Sequence, residues 1–271
     1  MNNFQRRRKK YLSLIFAILT LVVSLGLYFG IHSRQVAIEQ ARLLKEEQES
    51  QKIENRTFGY STSGKSIDGY EIGNGSNTIL LFASIHGDEV GTVDLLNRFI
   101  DEIKSDPSKI SKNKRLIVIP IVNPDGYYDR MDKLNVNLVN LNLNFATSDW
   151  EEYGPEGTYA GPRPFSEIES WVIKQVVEQY SPSMMISYHA QAGVVTPEFN
   201  NSSKALAHWY ADKTGYEYYD EWDYPGTATK WFEETTDKPA ITVELMAYRP
   251  TDWEINKEAL MELVSLDSLV F

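Results

Sequence analysis

Two kinds of apolar pattern divide the chain. From Tyr11 to Ile31 it reads YLSLIFAILTLVVSLGLYFGI, with no charged residue. A helix needs about 20 such residues to cross a bilayer. Arg6, Arg7, Arg8, Lys9 and Lys10 stand immediately before the run. Basic residues stay on the cytoplasmic side, so the pattern predicts a cytoplasmic N-terminus and everything after the span outside the cell. The run is long for a cleaved signal peptide, and no A-x-A-like site follows it. We therefore expect a basic tail at 1–10 and an uncleaved single-pass anchor at 11–31 in the cell membrane. Residues 32–56, rich in Glu, Gln, Lys and Arg, read as a helical polar stalk.

From residue 57 to 271 the pattern is that of a globular catalytic domain. Tyr60–Ile67 reads as a strand and turn, and Gly73–Ser76 as a hairpin-type turn. Thr78–Ile85 is a continuously apolar strand. Val90–Lys104 carries Val93, Leu95, Leu96, Phe99, Ile100 and Ile103 at helical spacing. Leu116–Val122 (LIVIPIV) is a second strand of the kind buried on both faces. Phe165–Tyr180 reads as a helix capped by Ser166 with Glu169 three residues on. Met184–Tyr188 is a strand ending at His189, Ser203–Thr214 a helix, Ala240–Leu245 a strand and Glu258–Leu266 the last helical stretch. Apolar strands alternating with amphipathic helices predict an α/β sheet flanked by helices, in which ligands gather at the carboxyl ends of strands.

Composition narrows the chemistry. The chain has no cysteine, which excludes disulfides and thiolate metal sites. The net charge is −11, and setting aside the five basic residues at Arg6–Lys10 leaves −16 on the rest. Such an acidic body argues against nucleic acid as a partner.

Of the four histidines, His32 lies at the edge of the apolar run and His208 on a helix. His86 and His189 each end a predicted strand, a placement that lets distant residues converge. His86 is followed by Gly87, Asp88 and Glu89, so an imidazole and a carboxylate share one short turn. Imidazole and carboxylate are a ligand set that zinc accepts, and a catalytic zinc keeps a fourth position open. Glu244 follows the apolar Ile-Thr-Val of a strand, where a carboxylate is rare unless paired or functional. The bland alternatives are hydrogen-bonded structural histidines and a Glu244 paired with Arg249.

In chain order, His86-Gly-Asp-Glu89, Asn123-Pro-Asp-Gly-Tyr127, Asn140-Leu-Asn-Leu-Asn-Phe145, Pro164-Phe-Ser-Glu167, Ser187-Tyr-His189, Gly226-Thr-Ala-Thr-Lys-Trp231 and Thr242-Val-Glu-Leu245 resemble the zinc metallocarboxypeptidase family. The resemblance covers residues from about 60 to 250 and is nearest to its bacterial murein peptide amidase branch, which cuts γ-D-glutamyl–diamino-acid bonds. It implies a mixed, mostly parallel eight-stranded sheet between helices. It implies one zinc ion held by His86, Glu89 and His189, with Glu244 as the general base and acid.

The family's carbonyl-polarising arginine falls near Lys133, with Arg130 close by. Asn142 matches the asparagine that binds the substrate's terminal carboxylate; Tyr224 is the tyrosine nearest to the place of the family's mobile one, with Trp222 at the closer spacing. Leu143 stands where the family has a carboxylate-binding arginine, and a leucine forms no charge-assisted fork. Either the substrate lacks a free carboxylate there, or Arg163 or Lys230 supplies the contact.

The resulting expectation is a membrane-anchored, extracytoplasmic zinc peptidase acting on a peptide, foremost a peptidoglycan stem peptide. Two rivals remain: an exopeptidase or amide hydrolase on ordinary peptides or N-acyl amino acids, and a degenerate wall-binding module.

Overall fold

The computed structural model of the protein describes residues 3–50, 52–130, 132–249 and 251–267. The chain divides into two units, Met1–Glu49 and Ser50–Phe271. The first is occupied by one helix, α1 (Asn3–Ser50), which runs unbroken through the expected tail and anchor. Between Arg6 and Lys45 it is long and apolar enough to cross a membrane, and none of that stretch is buried. Exposed Phe16, Leu19, Leu21 and Val23 form an apolar surface that water disfavours. The helix ends at Ser50, so residues 53–56, expected in the stalk, instead open the first strand.

In the second unit the elements run β1 (Ile53–Tyr60), β2 (Ser66–Ile72), β3 (Asn77–Ala83), α2 (Val90–Ser105), β4 (Lys114–Ile119), α3 (Ile168–Tyr180), β5 (Met184–Ala190), β6 (Val194–Pro197), α4 (Asn201–Thr214), β7 (Glu217–Tyr218), α5 (Ala228–Thr236), β8 (Ala240–Leu245) and α6 (Trp253–Ser265). The strands form one eight-stranded sheet in the order β1-β2-β4-β3-β5-β8-β6-β7. Pairs β4/β3, β3/β5, β5/β8 and β6/β7 are parallel, and the others antiparallel. This is the mixed, mostly parallel sheet that the resemblance implies.

The sheet is apolar on both faces because both are covered. Ile79, Leu81, Ile186 and Val243 point into a core with Leu95, Phe99, Leu206, Tyr210, Leu260 and Leu263 of α2, α4 and α6. Leu80, Phe82, Met185 and Ala240, at the alternate positions, meet Val172, Ile173, Val176, Trp231 and Phe232 of α3 and α5. Period-two alternation therefore sends each strand's residues to two different cores.

Two local expectations differ. Gly73–Ser76 is not a hairpin turn, because β4 lies between β2 and β3; the turn is a crossover. Gly75 is needed there for close approach, since a Cβ would meet the Asn113 carbonyl carbon at 2.1 Å. Ser166 does not cap α3; Glu167 precedes the first turn without a side-chain capping bond. The Ser166 hydroxyl is taken up by Asn144 and Glu167.

Leu81 is fully buried in the central strand. Leu81→Ala should lower unfolding stability by about 2–5 kcal/mol, measured by urea denaturation of the full chain; a loss below about 1 kcal/mol would contradict the packing described.

Candidate metal centre

The site grows from the carboxyl edge of the parallel core. On β5 the face that starts with Met185 turns polar at Ser187 and His189, and on β8 the face that starts with Ala240 turns polar at Thr242 and Glu244. The strands pair in register, Ser187 with Thr242 and His189 with Glu244. His189 and Glu244 are thus side by side because of strand pairing.

After β3, Ser84 adopts the left-handed region (φ 48°), an unfavourable conformation for a non-glycine residue. Its hydroxyl donates to the His86 carbonyl at 3.3 Å, and its carbonyl accepts from Asn123 N at 2.9 Å. Gly87 packs against the Asn123–Tyr127 turn so closely that a Cβ would lie 2.3 Å from the Gly126 carbonyl carbon. That turn is a scaffold: Asn123 Oδ1 accepts from Gly126 N, and Asp125 from Ser63 N and Lys65 Nζ.

His86, Glu89 and His189 are all buried, and one ligand atom from each lies within 4.8 Å of the others. His86 Nδ1 is 2.7 Å from Glu89 Oε1, His189 Nδ1 is 3.2 Å from Glu89 Oε2, and the two Nδ1 atoms are 3.3 Å apart. The outer nitrogens are tethered, His86 Nε2 to Asn140 Oδ1 at 3.0 Å and His189 Nε2 to Ser187 Oγ at 2.9 Å. Asn140 Oδ1 can only accept, so His86 Nε2 carries the proton and its Nδ1 lone pair faces inward.

Burial alone would raise the Glu89 carboxyl, but the two imidazoles outweigh it and hold it at about 2. Among the described residues, buried Glu89 Oε2 has no hydrogen-bond partner. Two facing imidazole nitrogens and an unsatisfied carboxylate oxygen fit a divalent zinc ion.

Glu244 lines the same cavity, about 520 Å³ in volume. Burial, with a contribution from the Glu89 charge, pushes it up to about 7 against the pull of His189 and Lys133. Arg249 lies near Tyr127, and no ion pair joins it to Glu244 among the described residues. Lys133, Asn142 and Tyr224 line the cavity, as does Leu143. Asn142 Oδ1 accepts from Ala228 N at 3.2 Å, which fixes it against the start of α5.

Arg163 is exposed and outside the cavity; its backbone carbonyl, accepting from Asn144 Nδ2, is what it contributes. The Arg130 side chain lies outside the described residues. Lys230 is held by Asp149 at 2.5 Å and Asp223 at 2.6 Å. His208 stacks on Tyr218 and does not line the cavity; His32, in the first unit, stacks on Tyr28.

Sequence reading missed Asn140, Ser187, Thr196, Glu198, Thr229 and Tyr248. Ser187 was within reach, being two residues before His189 on one strand face. Tyr248 enters the cavity from the loop after β8, which carries no periodic signal.

Comparison with known proteins places the site in context. The zinc carboxypeptidase family matches residues 39–260. Murein peptide amidase A of Vibrio campbellii is 27% identical over 180 residues, covering 61% of this chain and 68% of that protein. Its counterpart in Escherichia coli K12 is 30% identical over 124 residues, with 41% of this chain and about half (48%) of that protein covered. The gamma-D-glutamyl-L-diamino acid endopeptidase 1 of Lysinibacillus sphaericus is 22% identical over 243 residues, 71% of this chain and 60% of that protein.

Among solved structures, bovine thrombin-activatable fibrinolysis inhibitor superposes with a TM-score of 0.70 at 18% identity, covering 85% of this chain and 94% of that one. Murein-tripeptide amidase from Escherichia coli O157 gives 0.63 at 21% identity, covering 78% and 92%.

Two outcomes test this geometry. Gly87→Ala should destabilise the full chain by about 1–3 kcal/mol, because the two turns must separate; urea denaturation measures it, and no loss would contradict the close approach. The Glu244 carboxyl sits above its ordinary 4.5 when folded, so folding binds a proton and stability falls as pH rises from about 4.5 through about 7. Metal-free Glu244→Gln should therefore exceed the metal-free parent by on the order of 2 kcal/mol at pH 8, with the gap closed by pH 4. A pH-independent gap would contradict it.

Proposed function

The chain belongs to the zinc carboxypeptidase family and is a hydrolase, and we propose that it cleaves an amide bond in peptidoglycan stem peptides, a γ-D-glutamyl bond to a diamino acid. We further propose that α1 anchors it in the cell membrane, with the second unit outside the cytoplasm. The observation that carries the reading is the convergence of His86, Glu89 and His189 beside Glu244 in the lining of one cavity. The names of the Vibrio, Escherichia and Lysinibacillus relatives support the substrate. So does Leu143, which gives a free C-terminal carboxylate no cation at the family's usual place.

His86 and His189 would hold the ion through Nδ1 and Glu89 through its carboxylate. Zinc, when bound, supplies Lewis acidity toward a water molecule and a carbonyl oxygen. Glu244 would take a proton from a water held there and pass it to the leaving amine. Burial raises the Glu244 carboxyl in the metal-free chain, and a bound divalent cation would draw it back toward the anion that accepts a proton. Lys133, whose charge is felt at both His189 and Glu244, steadies the negative charge that develops on the carbonyl oxygen. Asn142 and Tyr224 position the peptide. Asn140 and Ser187 keep both imidazoles turned inward.

The full chain, purified and incubated with muropeptides, should split one amide bond. Chelator should abolish the reaction and added zinc restore it. Glu244→Gln should lower the rate roughly 10²–10⁴-fold. A zinc-loaded, folded protein that cleaves none of the muropeptides would overturn the substrate assignment.

A further inference from the structure

Lys133 and Asn140 line the cavity, and the turn between them has an inverted surface. Its polar side chains point in and its apolar ones point out. Asn135 is buried; its Nδ2 donates to Glu167 Oε2 at 2.7 Å, and its Oδ1 accepts from Asn137 N and Val139 N. Asn137 Nδ2 donates to the same Glu167 oxygen at 2.7 Å. Glu169, also buried, accepts from Thr62 N at 3.1 Å. The interleaved residues face water. Val136 and Leu138 on the turn, Ile168 and Trp171 on α3, and Tyr60 at the end of β1 are each between 38% and 58% exposed.

The hydrogen bonds through Asn135, Glu167, Glu169 and Thr62 tie these three segments together, so the exposed residues form one patch. Ile168 and Trp171, three apart, share a helix face. Gly59 lies so close to α3 that a Cβ would meet Val172 Cγ2 at 2.4 Å, which seats Tyr60 beside the helix. Leu138 is held in the left-handed region (φ 63°), where a leucine is strained. An outward leucine in an unfavourable conformation, beside four more exposed apolar side chains, marks an interaction surface.

Two observations choose the occupant. The carboxylates beneath the patch, Glu167 and Glu169, are buried and engaged, while the charges at its rim are cations. Lys174 Nζ lies 4.4 Å over the Trp171 ring, with Glu178 3.7 Å behind it, and exposed Arg163 precedes α3. Aliphatic groups, aromatic rings and edge cations are the side chains of a bilayer interface. Secondly, α1 ends at Ser50 and β1 starts at Ile53. With a span at 11–31, helix residues 32–50 extend at most about 28 Å at ~1.5 Å per residue, and only Gln51 and Lys52 follow before β1. The second unit is therefore tethered within reach of lipid.

We propose that Tyr60, Val136, Leu138, Ile168 and Trp171 form a docking face that seats the second unit on the surface of the bilayer holding α1. This rests on the membrane-anchor reading above for its nearness to lipid. The rings and aliphatic side chains enter the acyl boundary, and Lys174 and Arg163 reach the headgroup phosphates. Val136 and Leu138 share a turn with Lys133 and Asn140, so the face and the cavity wall are parts of one short segment.

All six tryptophans lie between 150 and 253, so α1 has none and quenching by lipid reports on the second unit. The full chain is reconstituted in vesicles of phosphatidylcholine and phosphatidylglycerol, with and without bromine on the upper acyl carbons. Brominated lipid should quench the tryptophan emission of the parent. That quenching should be lost in Trp171→Phe and in the double variant Leu138→Asp, Ile168→Asp, whose urea midpoint should match the parent's because both sites are exposed. A chain that floats with the vesicles but shows no quenching, or quenching that survives the double variant, would overturn the docking face and leave the anchor standing. A chain washed off the vesicles by carbonate, yet quenched before the wash, would overturn the anchor and leave the face. Trp171 emission that shifts with protein concentration and ignores brominated lipid would assign the face to a second copy and overturn the lipid assignment.

Discussion

A buried carboxylate wedged between two imidazole nitrogens 3.3 Å apart is the constraint on which the rest depends. Three lone-pair-bearing atoms brought this close in a low-dielectric setting repel unless a cation or shared protons hold them. The surrounding structure is arranged to keep them there. Asn140 and Ser187 turn the rings, and Ser84 accepts an unfavourable backbone conformation to end β3 in the right place. Gly87 gives up a side chain so that two turns can touch. None of these residues needs to contact a substrate; each fixes the direction in which a lone pair points.

The second organising feature is strand parity. Because alternate residues of β5 and β8 face opposite cores, changing Met185 to Ser187 to His189, and Ala240 to Thr242 to Glu244, converts an apolar wall into a polar one without disturbing the other face. That other face stays apolar through Ile186, Tyr188, Val243 and Leu245. Ser187 and His189 on β5, and Thr242 and Glu244 on β8, are paired neighbours on one sheet face. Function is added where helix cover stops at the carboxyl edge, as α/β sheets generally allow.

Much of this was legible in the sequence because it depends on local pattern. Continuous apolar runs marked β3, β4, β5 and β8, and residues at the ends of such runs, His86, His189 and Glu244, meet in space as strand-end residues should. What escaped depends on non-local pairing or on short elements. Nothing in Gly73–Ser76 reveals that β4 inserts between β2 and β3. The strands β6 and β7 are too short to show a period, so the sequence pattern does not mark them. Arg163 carries a charge that sequence reasoning aims at a substrate, yet it serves through its backbone. Asn140, in a run of alternating Asn and Leu, looks like turn chemistry and acts on His86.

The account stands on one ion shared by residues far apart in the chain. X-ray absorption at the zinc edge of the full chain, loaded with one equivalent of zinc, reads the ligands directly. The expected spectrum has two imidazole nitrogens with the remaining ligands oxygen, and one imidazole is lost in His189→Ala. A folded protein that takes up no zinc, or a zinc shell unchanged by removing His189, would contradict it.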